Sequence, residues 1–140
     1  MCYYSHMSDK GLSLETVLMT AQVKTYPDPA VVLMKTALRM RKAYDLSFAE
    51  FAEILGVSAA QLRRYTEETT FSSQGTRQRA AMFVRAVRSL EALVGENVER
   101  AKAWLNSINS DLGGDRPIDC LKTIEGMTDV VRYLDAMRGA

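Results

Sequence analysis

The chain has 140 residues, of which 47% are hydrophobic and 25% charged, and its formal net charge is +1. This length allows one domain, or two small domains that share a core. The balanced charge excludes a global field that would draw the chain onto nucleic acid or an anionic membrane, so any DNA contact must come from a local basic surface. Because we find no apolar run long enough for a membrane span and no secretory signal over residues 1–10, we expect a cytoplasmic protein.

Residues suited to catalysis are few. His6 is the only histidine, and it lies in residues 1–12, which we expect to form a flexible tail. Cys2 and Cys120 lie far apart, and we expect Cys120 to act as a small buried hydrophobic residue. The sequence has no glycine-rich phosphate loop, no set of residues for nucleophilic catalysis and no calcium-loop spacing. It therefore predicts a protein that is not an enzyme and that binds no metal or cofactor.

Helical spacing of apolar residues predicts an all-α fold, because no alternating strand pattern of useful length is present. A short amphipathic helix is expected from Leu14 to Ala21. The segment "YPDP" then interrupts the chain, and Asp28 is placed as the N-cap of a helix that begins at Pro29. This helix carries basic residues away from its apolar face, among them Arg39.

The next two helices have the clearest boundary signals in the sequence. Ser47 and Glu50 form a Ser-x-x-Glu capping box, and Ser58 and Gln61 form a second box of the Ser-x-x-Gln type. Between the boxes, Gly56 can end the first helix in the left-handed conformation. Two short helices joined by a three-residue connection predict a helix-turn-helix unit, which we place in a helical domain of residues 13–70.

The C-terminal half is predicted to be a second helical domain, residues 80–140, after a polar linker at 71–79. A long helix ends at Gly95, and its part from Gln78 to Val94 is a plausible dimer surface. Asn97 is expected to cap the next helix, and a last apolar stripe predicts a helix that ends near Arg138.

The segment "LSFAEFAEILGVSAAQLRRYTEE" resembles the helix-turn-helix of the Xre/Cro-like repressors. The resemblance implies that the second helix enters the major groove of DNA, where Gln can bind adenine and Arg can bind guanine. The positions that would enter the groove are Ser58, Ala59, Gln61, Arg64 and Tyr65, and those that would hold phosphates are Arg63, Arg39, Arg41 and Lys42. The alternative is a packing module that never touches DNA, since Glu67 and Glu68 place negative charge beside this helix.

About the last fifty residues resemble the toxin-binding domain of the Xre/MbcA/ParS antitoxins. The matching positions are Ala103-Trp104-Leu105, Asn109, Leu112-Gly113-Gly114, Pro117, Leu121, Thr123, Gly126 and Gly139. Two positions depart from the family pattern: Ile108 replaces a common proline, and Cys120 replaces a larger aliphatic residue. The resemblance implies a RES-domain toxin as partner, one that degrades NAD or uses it to modify a protein.

The stretch from Trp104 to Pro117 is predicted to form a fixed corner that aims the last helix. Trp104 is expected to lie largely buried, and Asn109 to hydrogen-bond its own backbone. Gly113 and Gly114 allow positive φ, and Pro117 starts the next helix. On the last helix and tail, the residues expected to contact the toxin are Arg132, Tyr133, Asp135, Arg138, Gly139 and Ala140.

Together these features predict the antitoxin of a type II toxin–antitoxin pair. Its C-terminal domain would occlude the NAD cleft of the toxin, and its N-terminal domain would bind the promoter of its own operon, as a homodimer or within a larger toxin–antitoxin complex. Two alternatives stay open: a stand-alone transcription regulator whose C-terminal half only dimerises, and an antitoxin whose helix-turn-helix never binds DNA.

Overall fold

The computed structural model describes residues 11, 13–15, 25–71 and 73–139. Within these residues the chain is all-helical, as predicted, and the predicted helix from Leu14 to Ala21 lies mostly outside them. The α-helices are α1 (Pro29–Ala43), α2 (Phe48–Leu55), α3 (Ala59–Glu68), α4 (Gln74–Val94), α5 (Val98–Asn106), α6 (Pro117–Cys120) and α7 (Ile124–Met137), with a 3-10 turn at Ser110–Leu112 between α5 and α6.

The helix boundaries follow the local signals of the sequence. The Asp28 side chain accepts from the Ala30 N–H at 2.9 Å, directly before Pro29. Ser47 and Glu50 form the reciprocal capping box, and Ser58 accepts from the Gln61 N–H at 3.1 Å. Gly56 ends α2 with φ of 70°, a conformation that a side chain resists. The predicted three-residue connection between α2 and α3 is therefore confirmed.

Helix α4 is the centre of the molecule and packs against α1, α2, α5 and α7. Its fully buried Phe83 meets Phe51 of α2 edge-to-face, with ring centroids 5.6 Å apart. One contiguous cluster of buried side chains runs from α1 to α7. The two predicted helical regions thus share a single hydrophobic core.

The predicted linker at residues 71–79 is wrong for most of its length. Phe71 is buried against Tyr65, with ring centroids 5.6 Å apart. The Ser73 side chain accepts from the Thr76 N–H, and α4 already begins at Gln74. The segment is polar because most of its residues lie on the exposed side of the first turns of α4. Between Ser73 and Ala80, only Thr76 is buried.

The predicted corner before α7 is confirmed in its backbone. The Asn109 side chain accepts from the Asp111 N–H at 2.9 Å, and Gly113 and Gly114 have φ of 72° and 82°. At the start of α7, a Cβ on Gly126 would overlap the carbonyl oxygen of Cys120. Glycine at this position therefore lets α7 lie directly against α6, which fixes the direction of the last helix.

Candidate functional site

The residues predicted to contact DNA lie mostly on the exposed side of α3. Ser58, Ala59, Arg63 and Arg64 are exposed, and Gln61 is half-buried. Ser58 also caps α3, so its hydroxyl is held at the point where this helix begins. We call these five residues the α3 surface.

Tyr65 does not belong to this surface, and its predicted contact with a base is wrong. The side chain is 3% exposed and packs edge-to-face on Phe71. Tyr65 follows the fully buried Leu62 by three residues, a spacing that places both on the same side of a helix. This spacing was visible in the sequence and indicates a core residue.

Arg39 and Arg41 lie on different sides of α1. Residues two positions apart on a helix project about 200° apart. The Arg41 guanidinium donates to the Leu46 carbonyl at 3.0 Å and lies 6.0 Å from the centroid of the Phe48 ring, which Arg63 also approaches to 5.9 Å. Arg39 instead lines a hollow with Arg88 of α4. A phosphate contact beside α3 is therefore geometrically available to Arg41 and Arg63, and the predicted role of Arg39 is not supported.

A pair of aromatic rings forms the most distinctive surface of the C-terminal half. Trp104 of α5 and Tyr133 of α7 stack with ring centroids 5.9 Å apart and planes inclined by 21°. Both side chains are half-buried, so the predicted burial of Trp104 is incomplete and part of its ring reaches the surface. The sequence around Trp104 indicates a turn after α5 but not that part of the ring reaches the surface. Arg132, next to Tyr133, is exposed.

The end of α7 is tied to α4 by two polar contacts. Asp135 forms an ion pair with Arg85, and Arg138 donates to the hydroxyl of the buried Ser89 at 3.2 Å. The helix ends at Met137 with Arg138 as its cap, which confirms the predicted end, and Gly139 follows with φ of 81°. Ala140, the last residue predicted to contact the toxin, lies outside the described residues.

A polar joint connects the α2–α3 turn with the corner before α7. A Cβ on Gly56 would overlap the Arg79 guanidinium, which donates to the Lys122 carbonyl at 3.1 Å. The Lys122 ammonium lies 3.5 Å from Glu53 of α2 and 3.2 Å from Asp119. Arg79 and Lys122 therefore form polar contacts between the helix-turn-helix part of the molecule and the corner before α7.

Within this joint, the carboxyl group of Asp119 has two cationic neighbours, Arg116 and Lys122. The Arg116 guanidinium bonds both of its carboxylate oxygens, at 2.8 and 3.3 Å. This hydrogen bonding lowers the pKa of Asp119 below its ordinary value, and Lys122 acts in the same direction. Burial raises the pKa of the nearby Cys120 thiol, so this cysteine is not an activated nucleophile.

Among the described residues, no group of three or more histidine, cysteine or acidic side chains is placed to hold a metal ion. In the same part of the chain, no helix is both long enough and apolar enough to cross a membrane.

Comparison with known proteins addresses the C-terminal half directly. Residues 89–140 match the family described as the antitoxin Xre/MbcA/ParS C-terminal toxin-binding domain. Among solved structures, the chain is similar to one in the crystal structure of the M. tuberculosis MbcT–MbcA toxin–antitoxin complex. The two share 22% sequence identity with a TM-score of 0.59, over 77% of this chain and 95% of that chain. At this identity the likeness shows the fold alone.

No curated protein sequence matches the chain. The family match covers the corner, the Trp104–Tyr133 pair and the whole of α7. Residues 89–140 are therefore identified as a toxin-binding domain of the Xre/MbcA/ParS type.

Proposed function

We propose that this chain is an antitoxin that neutralises a RES-domain toxin by covering its NAD cleft. The observation that carries the proposal is the half-exposed stack of Trp104 and Tyr133, which lies inside the family domain. Partly exposed aromatic residues are the side chains that most often anchor protein–protein interfaces. The exposed Arg132 adds a charged group beside the stack. A chain of the M. tuberculosis toxin–antitoxin complex with a similar fold agrees with this role.

The tail beyond α7 is the part that we expect to enter the cleft. Contacts of Asp135 with Arg85 and of Arg138 with Ser89 fix the helix end on α4, so the residues that follow leave from a defined point. Held at this point, the tail would obstruct the cleft sterically. The alternative is that the body of the domain blocks the cleft and the tail is dispensable.

Deleting residues 138–140 separates these two modes. We expect the shortened protein to keep its affinity for the toxin but to restore NAD consumption, measured in separate assays. Because Arg138 also bonds Ser89, the matched control is Ser89→Ala, which removes that bond and leaves the tail at full length. Retained binding with continued inhibition would show that the domain body, and not the tail, blocks the cleft. If the full-length chain does not bind the toxin at all, the proposed antitoxin role is refuted.

For the other half of the molecule, we propose that the α3 surface binds the promoter of the operon. Two exposed arginines, Arg63 and Arg64, and the half-buried Gln61 are the side-chain types that contact phosphates and base edges. A stand-alone transcription regulator would share this property. A binding assay with upstream fragments at low salt tests DNA contact, and titration with the product of the neighbouring gene distinguishes an antitoxin from a regulator without a toxin.

A further inference from the structure

A groove lined by arginines lies on the molecule between α1, α4 and the end of α7. Its volume is about 470 Å³. Leu33 of α1 and Val84 of α4 contribute its apolar lining, and Arg85, Arg88 and Arg138 contribute its cationic lining. We call this surface the arginine groove.

The apolar side of the groove continues along α1. A neighbouring hollow shares Leu33, Val84 and Arg88 with it and adds Val32, whose side chain is 44% exposed. The combined surface has an apolar strip at one end and guanidinium groups at the other. It suits a partner segment that carries both apolar side chains and negative charges.

The positive charge of the groove is only partly compensated by the protein. Three guanidinium groups meet one carboxylate, that of Asp135, which pairs with Arg85. Arg138 donates to the neutral hydroxyl of Ser89, so its charge stays uncompensated there. Arg88 is exposed, and no ion pair to it is present within the described ranges. Arg39 lies beyond Arg88 and extends the same charge.

We propose that the arginine groove docks an acidic, amphipathic segment of the toxin, as a second contact beside the Trp104–Tyr133 pair. This inference rests on the proposed function, because it assigns a further surface to the same partner. Apolar side chains of the segment pack on Val32, Leu33 and Val84, and a carboxylate of the segment pairs with Arg88. Charge complementarity of this kind orients the partner and speeds association.

A second copy of the chain fits this surface poorly. A twofold dimer places the same patch of both copies against each other, so the arginines of one groove would face those of the other. Such like-charge contacts are unfavourable. The face of α4 that carries Arg85 and Arg88 is therefore not the dimer surface expected for residues 78–94.

Nucleic acid also fits less well than an acidic polypeptide. A phosphodiester backbone offers no apolar partner for the exposed Val32, whereas a polypeptide can supply one. The groove borders the side of α1 that carries Arg39, whereas Arg41 on the opposite side approaches α3 through Phe48. A duplex held by the α3 surface would therefore contact a different side of α1.

The test is charge reversal at Arg88, whose exposed position makes loss of folding unexpected. The probe is the toxin encoded by the neighbouring gene, and affinity is measured at low and high salt. We expect Arg88→Glu to weaken binding by roughly tenfold at low salt and less at high salt. The matched control is Arg77→Glu in the first turn of α4, an equal change of net charge at an exposed position that does not line the groove, which should leave the affinity unchanged.

The possible outcomes separate the explanations. If Arg88→Glu and Arg77→Glu bind the toxin equally well, the groove is not a docking site and the proposal is overturned. If Arg88→Glu changes only promoter binding, or only the oligomeric state seen by light scattering, the occupant is nucleic acid or a second copy, and the proposal is likewise wrong. If the unchanged antitoxin does not bind this toxin at all, the proposed function fails before the groove is tested.

Discussion

The α2–α3 region and the α5–α7 region share one hydrophobic core but expose different kinds of side chain. Between Phe48 and Phe71 no large hydrophobic side chain is exposed, and the α3 surface is polar and cationic. In the α5–α7 region, Ile108, Ile124 and Met137 are 76%, 60% and 58% exposed, and the Trp104–Tyr133 pair is half-exposed. The difference lies in the exposed side chains and not in the type of helix.

This contrast indicates two kinds of partner. Contacts with nucleic acid depend on cationic and polar side chains, because the phosphate backbone dominates affinity. Protein interfaces instead bury aromatic and aliphatic residues at their centre. The polar α3 surface suits the first partner and the Trp104–Tyr133 pair suits the second. Polar contacts of Arg79 and Lys122 hold the two regions together.

The largest expected effect comes from a core substitution that destabilises both regions at once. Phe83→Ala empties a fully buried site that contacts Phe51, and such a truncation costs about 3–5 kcal/mol of unfolding free energy. Because the core is shared, we expect one cooperative transition and loss of both activities together, measured by urea unfolding. Leu93→Ala on the same helix, at a side chain 39% exposed, is the control and should cost far less. Two separate unfolding transitions would show that the regions are independent domains.

The next effect belongs to the apolar surface alone. Trp104→Ala should weaken toxin binding by about 2 kcal/mol or more, as truncation of an aromatic anchor does. Its cost in unfolding free energy should stay below that of a fully buried aromatic residue, because the ring is half-exposed. The matched control is the adjacent Leu105→Ala, at a side chain 3% exposed, which should reduce stability more than Trp104→Ala does. Calorimetric melting and titration with the toxin measure the two quantities separately.

A stability loss after Trp104→Ala as large as that after Leu105→Ala, with unchanged toxin affinity of the folded fraction, would contradict this assignment. Trp104 would then support the core, and the toxin would contact another surface.

On the polar surface, we expect a smaller and more local effect. Arg64→Ala should cost about 1–3 kcal/mol at one base position of the promoter, as loss of a base contact does. Arg39→Ala, on the side of α1 that faces Arg88, should leave DNA affinity unchanged. Fluorescence anisotropy with single-base variants of the promoter measures both. Equal losses on every sequence would mean that Arg64 contacts only phosphate.

Most of the helix boundaries were predictable from the sequence because their causes are local. Ser47 with Glu50, Asp28 before Pro29, and Gly56 each act within a few residues of the position that they fix. The same applies to Asn109 in the corner before α7, whose side chain bonds a backbone group two residues away.

The exposure of individual side chains was harder to predict, because it depends on which helix covers them. Tyr65 is buried by Phe71, a residue that the sequence placed in a linker. Trp104 is left half-exposed because its ring stacks on Tyr133 at the edge of the core and not inside it. Arg39 faces α4, which begins 35 residues further along the chain, so its surroundings arise only from tertiary packing.

The smallest expected effect lies in the joint between the two regions, at Asp119. Hydrogen bonds from Arg116 lower the pKa of this carboxyl in the folded protein, and Lys122, which also approaches Glu53 of α2, adds to the effect. A group whose folded pKa is lowered stabilises the protein above its unfolded pKa, near 3.8. That contribution is lost as the pH falls through the folded pKa.

We therefore compare urea unfolding of the unchanged chain and of Asp119→Asn at pH 7, pH 5 and pH 3. At pH 7 and pH 5 the unchanged chain should be more stable by a few tenths of a kcal/mol, since the side chain is 38% exposed and such pairs are screened by water. The difference should shrink at pH 3, and added salt at pH 7 should reduce it as well. A difference that grows as the pH falls would mean that the protonated carboxyl, and not its pairing with Arg116 and Lys122, stabilises the joint.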